Sequence, residues 1–196
     1  MCAVPDPPEP PGPFTVRAVR DADSAALIEL IGSCWAEYPG CVMDVDGEEP
    51  WLRAPATAYA AWGGLLWVVP GLDAGRPAGG RPAGGRPAPG SLAACAGVKP
   101  AGPGAVELKN MYVAAAARRR GLGTYLVALV RAEAGRRGAS RVHLWSDTRF
   151  TDAHRLYGRT GFARTGRTRD LHDLSRTTEY EFSLTAAAAA GPDPGT

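Results

Sequence analysis

Three consecutive arginines and two spaced glycines are the residues of this sequence best suited to chemistry. The stretch Arg118-Arg119-Arg120-Gly121-Leu122-Gly123-Thr124 follows a predicted strand that ends at Val113, and it opens a predicted helix. Backbone N–H groups at the start of a helix point outward, and glycines let a ligand approach the main chain closely. The helix dipole and the arginines favour negative charge there. The stretch therefore predicts an anion site, with a pyrophosphate as its natural occupant.

Other phosphate-binding folds also use a glycine-rich turn before a helix. A P-loop requires Gly-x-x-x-x-Gly-Lys-Ser/Thr, and no such string occurs in the 196 residues. A dinucleotide-binding fold needs a third glycine where this sequence has Leu126, and it places its motif at the first strand rather than in mid-chain. An arginine-rich helix cap that binds no ligand remains open as the alternative.

A second motif makes the interpretation more specific. Residues 153–162 read Ala-x-x-Leu-Tyr-x-x-x-Gly-Phe, about 35 residues after the first motif. Together with Val-x4-Arg-x-x-Gly-x-Gly over 113–123, they resemble the two cofactor motifs of the GNAT superfamily of N-acetyltransferases, and the resemblance covers roughly residues 14–184. It implies an α+β fold of three layers, with a central, splayed, mostly antiparallel sheet flanked by helices. It also implies that acetyl-CoA lies between the strands ending at Val113 and Trp145.

The resemblance assigns the cofactor to two groups of residues. The backbone of Met111 and Val113 would pair with the pantetheine arm and polarise the thioester carbonyl. The backbone N–H groups of the turn that follows would hold the pyrophosphate. The predicted cofactor-binding residues are Met111, Val113, Arg118, Arg119, Arg120, Gly121, Leu122, Gly123 and Thr124, and no metal is expected.

Glu107 and Tyr157 are the candidate catalytic residues. Glu107 lies six residues before Val113, and an even spacing puts both side chains on one face of a strand. By count, it stands where the histone acetyltransferase branch of the family has its general base; a glutamate that orients its neighbours is the alternative. The family motif makes Tyr157 the general acid that protonates the departing thiolate. A core aromatic of the short helix is the alternative there.

Charge is unevenly distributed, although the net charge is only +2. Residues 1–98 hold six arginines against eleven acidic residues, whereas residues 99–181 hold sixteen basic residues against eight acidic ones. The basic half favours an anionic ligand and the acidic half a cationic one. Solvated faces of opposite sign explain the same counts.

The acceptor is expected to be an amine. Relatives vary in their acceptor through the front half, where an acidic segment and aromatic residues favour a cationic, partly apolar molecule. A late strand borders the acceptor site in many relatives. The candidate acceptor contacts are the segment 44–49, Trp35, Tyr38, Trp51, His172 and Asp173. His143 and His154 are expected to be structural histidines whose hydrogen bonds are satisfied.

The elements that must position these residues follow from periodicity and turn signals. The predicted strands are 14–20, 64–69, 91–98, 105–113 and 141–146 with two more within 166–184, and the predicted helices are 24 to about 37, 121–136 and 151–160. The stretch up to about residue 61 has no clear pattern. The order βαβββαβαββ predicts an antiparallel front half and a β-α-β crossover in the middle.

A single domain over 14–184 accounts for most of the chain. Residues 1–13 are rich in proline and residues 185–196 are mostly alanine, glycine and proline, so both are predicted to be disordered tails. Residues 75–90 repeat Arg-Pro-Ala-Gly-Gly, which predicts a flexible loop between two strands.

Composition favours a cytoplasmic protein. The four cysteines are scattered without a Cys-x-x-Cys pair, which argues against zinc and against a disulfide framework. No apolar run approaches the roughly 20 residues needed to cross a bilayer, and the prolines over 5–13 interrupt any secretory signal. Dimers are common in the family, so a homodimer is compatible with the resemblance.

Three functions remain at this point. The first is transfer of acetyl, or of a longer acyl group, to a primary amine of a small molecule or a protein. The second is a non-catalytic acyl-CoA sensor of the same fold. The third, a nucleic-acid-binding module that uses the basic half, leaves the motif glycines without a purpose, and few aromatic residues lie among the arginines.

Overall fold

The computed structural model describes residues 8–72 and 90–185. Most of the predicted repeat loop at 75–90, and the ends of both predicted tails, lie outside the described residues. The strands are β1 (Arg17–Ala18), β2 (Leu65–Pro70), β3 (Leu92–Pro100), β4 (Ala105–Val113), β5 (Arg141–Asp147), β6 (Ala163–Asp170) and β7 (Thr178–Thr185). The helices are α1 (Ser24–Trp35), α2 (Pro55–Ala61), α3 (Leu122–Arg136) and α4 (Thr151–Arg159). The predicted α+β fold is confirmed.

One sheet contains these strands in the order β1-β2-β3-β4-β5-β7-β6. Neighbouring strands are antiparallel except β4 and β5, which are parallel and joined by α3. These two strands pair only over Ala105–Glu107 and Arg141–His143. Beyond that point they diverge, since β4 continues to Val113 and β5 to Asp147 without pairing with each other. We call the gap between 108–113 and 144–147 the wedge.

A bulge in β4 shapes one wall of the wedge. The register with β3 shifts between Cys95 and Gly97, and Asn110 adopts a left-handed conformation with φ of 54°. The Asn110 side-chain amide donates a hydrogen bond of 2.9 Å to the hydroxyl of Tyr59 in α2. A Cβ at Gly97 would lie 2.1 Å from that hydroxyl, so only glycine leaves room for it. The bulge is therefore held by a side chain about 50 residues earlier in the chain.

Helices cover the two faces of the sheet. On one face α3 packs through fully buried residues such as Leu126 and Val130 against β3, β4 and β5. On the other face α1 and α2 bury Leu27 and Tyr59 against β2 and β3. The uncovered part of this second face lies over β5, β7 and β6, and every residue of β6 is exposed. Within the described ranges, no helix is both long and apolar enough to span a bilayer.

Three elements differ from the sequence expectation. Strand β6 begins at Ala163, before the predicted range of 166–184. The opening strand is only Arg17–Ala18 rather than 14–20, because Phe14 turns into the core instead of pairing with β2. Helix α2 was not predicted. Its N-terminus has no capping side chain of its own; instead Asp21, over 30 residues earlier, accepts hydrogen bonds from the N–H groups of Ala56 and Thr57. A cap supplied from a distant segment leaves no local sequence signal.

Candidate functional site

A cavity of about 890 Å³ opens at the wedge. It is lined by β4 from Glu107 to Val113, by the end of β5, by the start of α3 and by α4. Each predicted catalytic or cofactor-binding residue lines this cavity except Arg120. The fold thus brings the two sequence motifs to opposite walls of one space.

The backbone of β4 offers hydrogen-bond donors to the wedge. The N–H of Ala114 donates to the carbonyl of Ala93 in β3, at 2.9 Å. Because the N–H groups of successive strand residues point to alternate sides, those of Val113 and Met111 point away from β3 and into the wedge. The Val113 carbonyl is already used, since it accepts from Nε of Arg118 at 3.1 Å. By this alternation, the N–H groups of Met111 and Val113 face the cavity rather than β3.

The turn before α3 presents a second set of backbone donors. Gly121, at the N-cap, has a φ of 84°, which a residue with a side chain rarely adopts. The first helical bond runs from the N–H of Tyr125 to the Gly121 carbonyl, at 2.9 Å, so the N–H groups of 122–124 have no partner inside the helix. A Cβ at Gly123 would lie 2.7 Å from Leu156 of α4. The two motifs therefore pack against each other at this turn, where the N–H groups of 122–124 form the type of site that binds an anion.

The three consecutive arginines lie in different surroundings. Arg118 makes two hydrogen bonds of 2.6 Å to the Glu37 carboxylate, and this pairing raises the pKa of Arg118 above its ordinary value. Arg119 has a φ of 60° and lines the cavity. The Arg120 guanidinium lies over the ring of Phe14, 5.2 Å from its centre. Arg118 thus ties the turn to the end of α1, and Arg120 lies outside the cavity lining.

Glu107 lies at the narrow end of the wedge. It is the last β4 residue that pairs with β5, opposite His143. Its side chain is 12% exposed and forms an ion pair of 3.1 Å with Lys99 of β3. The carboxylate is therefore within the cavity wall, on the face covered further along by α1 and α2.

Tyr157 is both a core residue and part of the cavity wall. It is buried in the core, where its ring packs 5.8 Å from Phe162 and 5.6 Å from Phe182, measured between ring centres. It also lines the cavity from α4. Burial raises the pKa of the Tyr157 phenol well above its ordinary value, so the hydroxyl keeps its proton at neutral pH and can donate a hydrogen bond into the wedge.

The acidic segment 44–49 is used mainly by the fold itself. Asp44 accepts from the backbone of its own turn, Asp46 pairs with an exposed arginine, and Glu48 accepts from a backbone N–H of the β6–β7 loop. Only Glu49 of the four lines the cavity, where it accepts a hydrogen bond from the indole N–H of Trp51. Burial raises the pKa of the Glu49 carboxyl. Within this segment, only the Glu49 carboxylate is therefore placed to attract a cationic acceptor.

Only some of the other candidate acceptor contacts line the cavity. Trp35, Tyr38 and Asp173 line the cavity, whereas Trp51 and His172 do not. The two loops that bear these residues are joined, because the Ser175 hydroxyl accepts a 2.8 Å hydrogen bond from the Val42 N–H. Carboxylates from the sheet and from the β6–β7 loop add to the wall on this side: Glu107, Asp173 and Glu179.

Several residues that shape the site were missed from the sequence. Glu37 and Tyr59 form hydrogen bonds with residues 81 and 51 positions away. The sequence around Glu37 and Tyr59 gives no signal of these contacts. Asn110 carries the one usable signal, since asparagine is depleted in strands and tolerates the left-handed conformation. A bulge at this position could have been predicted within the strand 105–113.

Comparison with known proteins agrees with the geometry. The sequence model of the Acetyltransferase (GNAT) family matches residues 35–162. A search of the curated proteins found no significant match. A GNAT-family acetyltransferase from Staphylococcus aureus Mu50 is similar in structure, with a TM-score of 0.68 at 17% identity over 88% of this chain and 99% of that one.

Two similar structures contain the cofactor. YncA from Salmonella typhimurium, solved with its cofactor acetyl-CoA, has a TM-score of 0.61 at 19% identity, over 94% of this chain and 100% of that one. The PaiA N-acetyltransferase from Thermoplasma acidophilum, in complex with coenzyme A, has a TM-score of 0.59 at 13% identity, over 89% and 99% of the two chains. At these identities the likeness shows a common fold.

Proposed function

The chain belongs to the acetyltransferase (GNAT) family, and from this premise we propose that it transfers the acetyl group of acetyl-CoA to a primary amine of a small molecule or a protein. The observation that carries the proposal is the wedge, where open backbone donors of β4 and of the turn before α3 line one cavity with Glu107 and Tyr157. YncA and PaiA, which share the fold, were solved with acetyl-CoA and coenzyme A.

Acetyl-CoA supplies the activated acetyl group as a thioester. The N–H groups of Met111 and Val113 are placed to hold an extended chain along the free edge of β4, and a backbone N–H there also stabilises the oxyanion that forms on the carbonyl. The N–H groups of 119–124 bind the pyrophosphate. Fixing the donor in this way orients the carbonyl toward the side of the cavity where Glu107 and Glu49 lie.

Glu107 serves as the general base. An amine attacks only when neutral, and an alkyl ammonium has a pKa near 10, so a proton must be removed at neutral pH. Glu107 lies four positions before Met111 on the bulged strand β4 and lines the same cavity, and in this proposal its carboxylate takes the proton from the bound amine directly or through water.

Tyr157 serves as the general acid. The departing thiolate has a pKa of about 8.5 and leaves more readily with a hydrogen bond or a proton. Because burial holds the pKa of Tyr157 above its ordinary value, the hydroxyl is protonated and donates a hydrogen bond to the sulfur. A proton reaches the sulfur as the carbon–sulfur bond breaks, and a proton given up by the amine restores the phenol. The same ring anchors α4 in the core, which fixes the hydroxyl at the cavity wall.

The acceptor is expected to be cationic and partly apolar. Carboxylates of Glu49, Glu107 and Glu179 meet in the cavity wall with the aromatic residues Trp35 and Tyr38. A protonated amine is attracted by such a wall, and an apolar stem packs against the rings.

A screen of amines tests the proposed function. Free thiol release from acetyl-CoA would be followed with alkyl amines, diamines, amino acids and peptides, for the wild type, Glu107→Gln and Tyr157→Phe. We expect turnover with at least one cationic amine, reduced 10²- to 10⁴-fold in Glu107→Gln. Unchanged activity in both variants would overturn the two catalytic assignments. Tight acetyl-CoA binding without thiol release on any amine would identify a sensor instead.

A further inference from the structure

A half-buried histidine at the narrow end of the wedge is used by none of the steps above. His143 is the β5 partner of Glu107 in the parallel ladder, and its side chain is 12% exposed. Neither of its ring nitrogens makes a hydrogen bond to any of the residues that the structure describes. His154 behaves differently, because its Nε2 lies 3.0 Å from the Asp147 carbonyl. The expectation of a satisfied structural histidine thus fits His154 but not His143.

Charged groups surround this histidine on the uncovered face of the sheet. Its Nδ1 lies 3.6 Å from the Glu181 carboxylate of β7, which is only 4% exposed. Glu181 in turn pairs at 3.2 Å with Arg167 of β6, which is 67% exposed. On the other side, Glu107 neighbours His143 across the ladder, and paired strands lie about 4.8 Å apart. The charged groups that act on the imidazole are Glu107, Arg141, Arg167 and Glu181, and Lys99 pairs with Glu107.

These residues form a row from the cavity to the surface. Glu107 lines the cavity, His143 and Glu181 follow across β5 and β7, and Arg167 ends the row in solvent at the edge strand. Burial lowers the pKa of His143, although both neighbouring carboxylates act against this. A histidine that is neutral at rest has one nitrogen free to accept a proton and another that can donate one.

The proton balance of acetyl transfer indicates a function for these residues. An ammonium loses two protons when it becomes an amide, and the departing thiolate takes one of them. One proton therefore leaves the site in each turnover of a protonated amine, whereas a neutral amine releases none. On the basis of the proposed acetyl transfer, we propose that His143 accepts this proton from Glu107 and passes it to Glu181, which releases it to solvent beside Arg167. Glu107 returns to the carboxylate and His143 to the neutral ring, so the row is ready for the next turnover.

His143 is in this role a positioning residue that acts through Glu107, and its effect depends on the acceptor's charge. His143→Gln keeps a hydrogen-bonding side chain but cannot carry a proton. The rate would be measured from about pH 6.5 to 9.5 with two accepted amines, one with a pKa near 10 and one with the α-amino value of about 7.7. At pH 7 we expect kcat to fall about tenfold for the more basic amine. The loss should shrink to less than twofold for the α-amino compound at pH 9, with the KM for acetyl-CoA unchanged.

Two controls distinguish this proton relay, formed by Glu107, His143 and Glu181, from a structural role of His143. His154→Gln changes the other half-buried histidine, and any effect on its rate should be the same at every pH. If His143→Gln does not fold, Glu181→Gln interrupts the row one step later and should show the same charge-dependent loss. An equal loss in His143→Gln for both amines at every pH, or no loss at all, would overturn the relay alone. A wild type that acetylates no amine would overturn the proposed function and the relay with it.

Discussion

The donor side and the acceptor side of the cavity are built differently. The donor side uses two continuous stretches, 111–124 and 153–162, and it presents mainly backbone N–H groups. The acceptor side is assembled from α1, the 38–49 loop, three strands and the β6–β7 loop, and it presents side chains. Its loops are joined by contacts between residues 126 and 133 positions apart in the chain.

This difference explains what each side can tolerate. Backbone donors are fixed by glycine positions and by strand pairing, so a few residues determine them. Side-chain walls depend on partners elsewhere, as Glu48 and Asp46 illustrate by being used within the fold rather than in the cavity. The donor side is therefore sensitive to added atoms, and the acceptor side to changes of charge.

The largest effect on stability is expected at the bulge of β4, between the two sides. Gly97→Ala places a methyl group 2.1 Å from the Tyr59 hydroxyl, which must move and release Asn110 of the bulge. Overpacking of this kind costs about 1–3 kcal/mol in the free energy of unfolding, measured by urea denaturation. Gly32→Ala in α1, with open space around the new methyl group, is the control and should be neutral or stabilising. Equal stability of Gly97→Ala and Gly32→Ala would show that the close approach of Tyr59 to Gly97 does not affect stability.

A tenfold effect is expected on the donor side. Gly123→Ala directs a methyl group at the Leu156 side chain, 2.7 Å away, which must shift against the turn. We expect acetyl-CoA to bind about tenfold more weakly by calorimetry, because the three N–H groups at the start of α3 lose their alignment. Gly135→Ala lies on the same helix with no atom near the added methyl, so it should leave affinity unchanged and raise the Tm. Similar affinities for both variants would contradict the assigned pyrophosphate site.

A smaller effect, sensitive to pH, is expected on the acceptor side. Burial raises the pKa of Glu49, so ionising it costs stability in the folded state, and stability falls as the pH rises through that raised value. Glu49→Gln should therefore be more stable than the wild type near pH 7, with no such gain near pH 4. We also expect a KM about fivefold higher for a cationic amine and unchanged for acetyl-CoA. Asp46→Asn, in an exposed ion pair, is the control. A stability difference between Glu49→Gln and the wild type that does not change with pH would contradict the raised pKa of Glu49.

The smallest effect separates two adjacent arginines. Arg120 lies over Phe14 and outside the cavity, so Arg120→Ala should change acetyl-CoA affinity by less than about twofold. Arg119→Ala, in the cavity lining, should weaken it by about fivefold at low salt. The two Kd values, compared at two salt concentrations, check this order. The reverse order would show that Arg120 leaves Phe14 when the cofactor binds.

The two sides also differ in what the sequence could predict. The strand 105–113 and the helix beginning at 121–122 were predicted to within one residue, and all the predicted catalytic and cofactor-binding residues except Arg120 line the cavity. Local periodicity and glycine positions carry that information. Helix α2, its distant cap Asp21 and the Arg118–Glu37 pair could not be predicted, because their signals lie in contacts formed only after folding. The roles of Glu107 and Tyr157 remain predictions.

Amide hydrogen exchange with and without acetyl-CoA tests most directly whether the donor occupies the wedge. Binding should slow exchange at the Met111 and Val113 amides and over 119–124, where the N–H groups are open. The β6–β7 loop on the acceptor side, 171–177, should be nearly unaffected until an amine analogue is added. Unchanged exchange at Met111 and Val113 under saturating acetyl-CoA, or protection confined to the acceptor loops, would contradict the assignment.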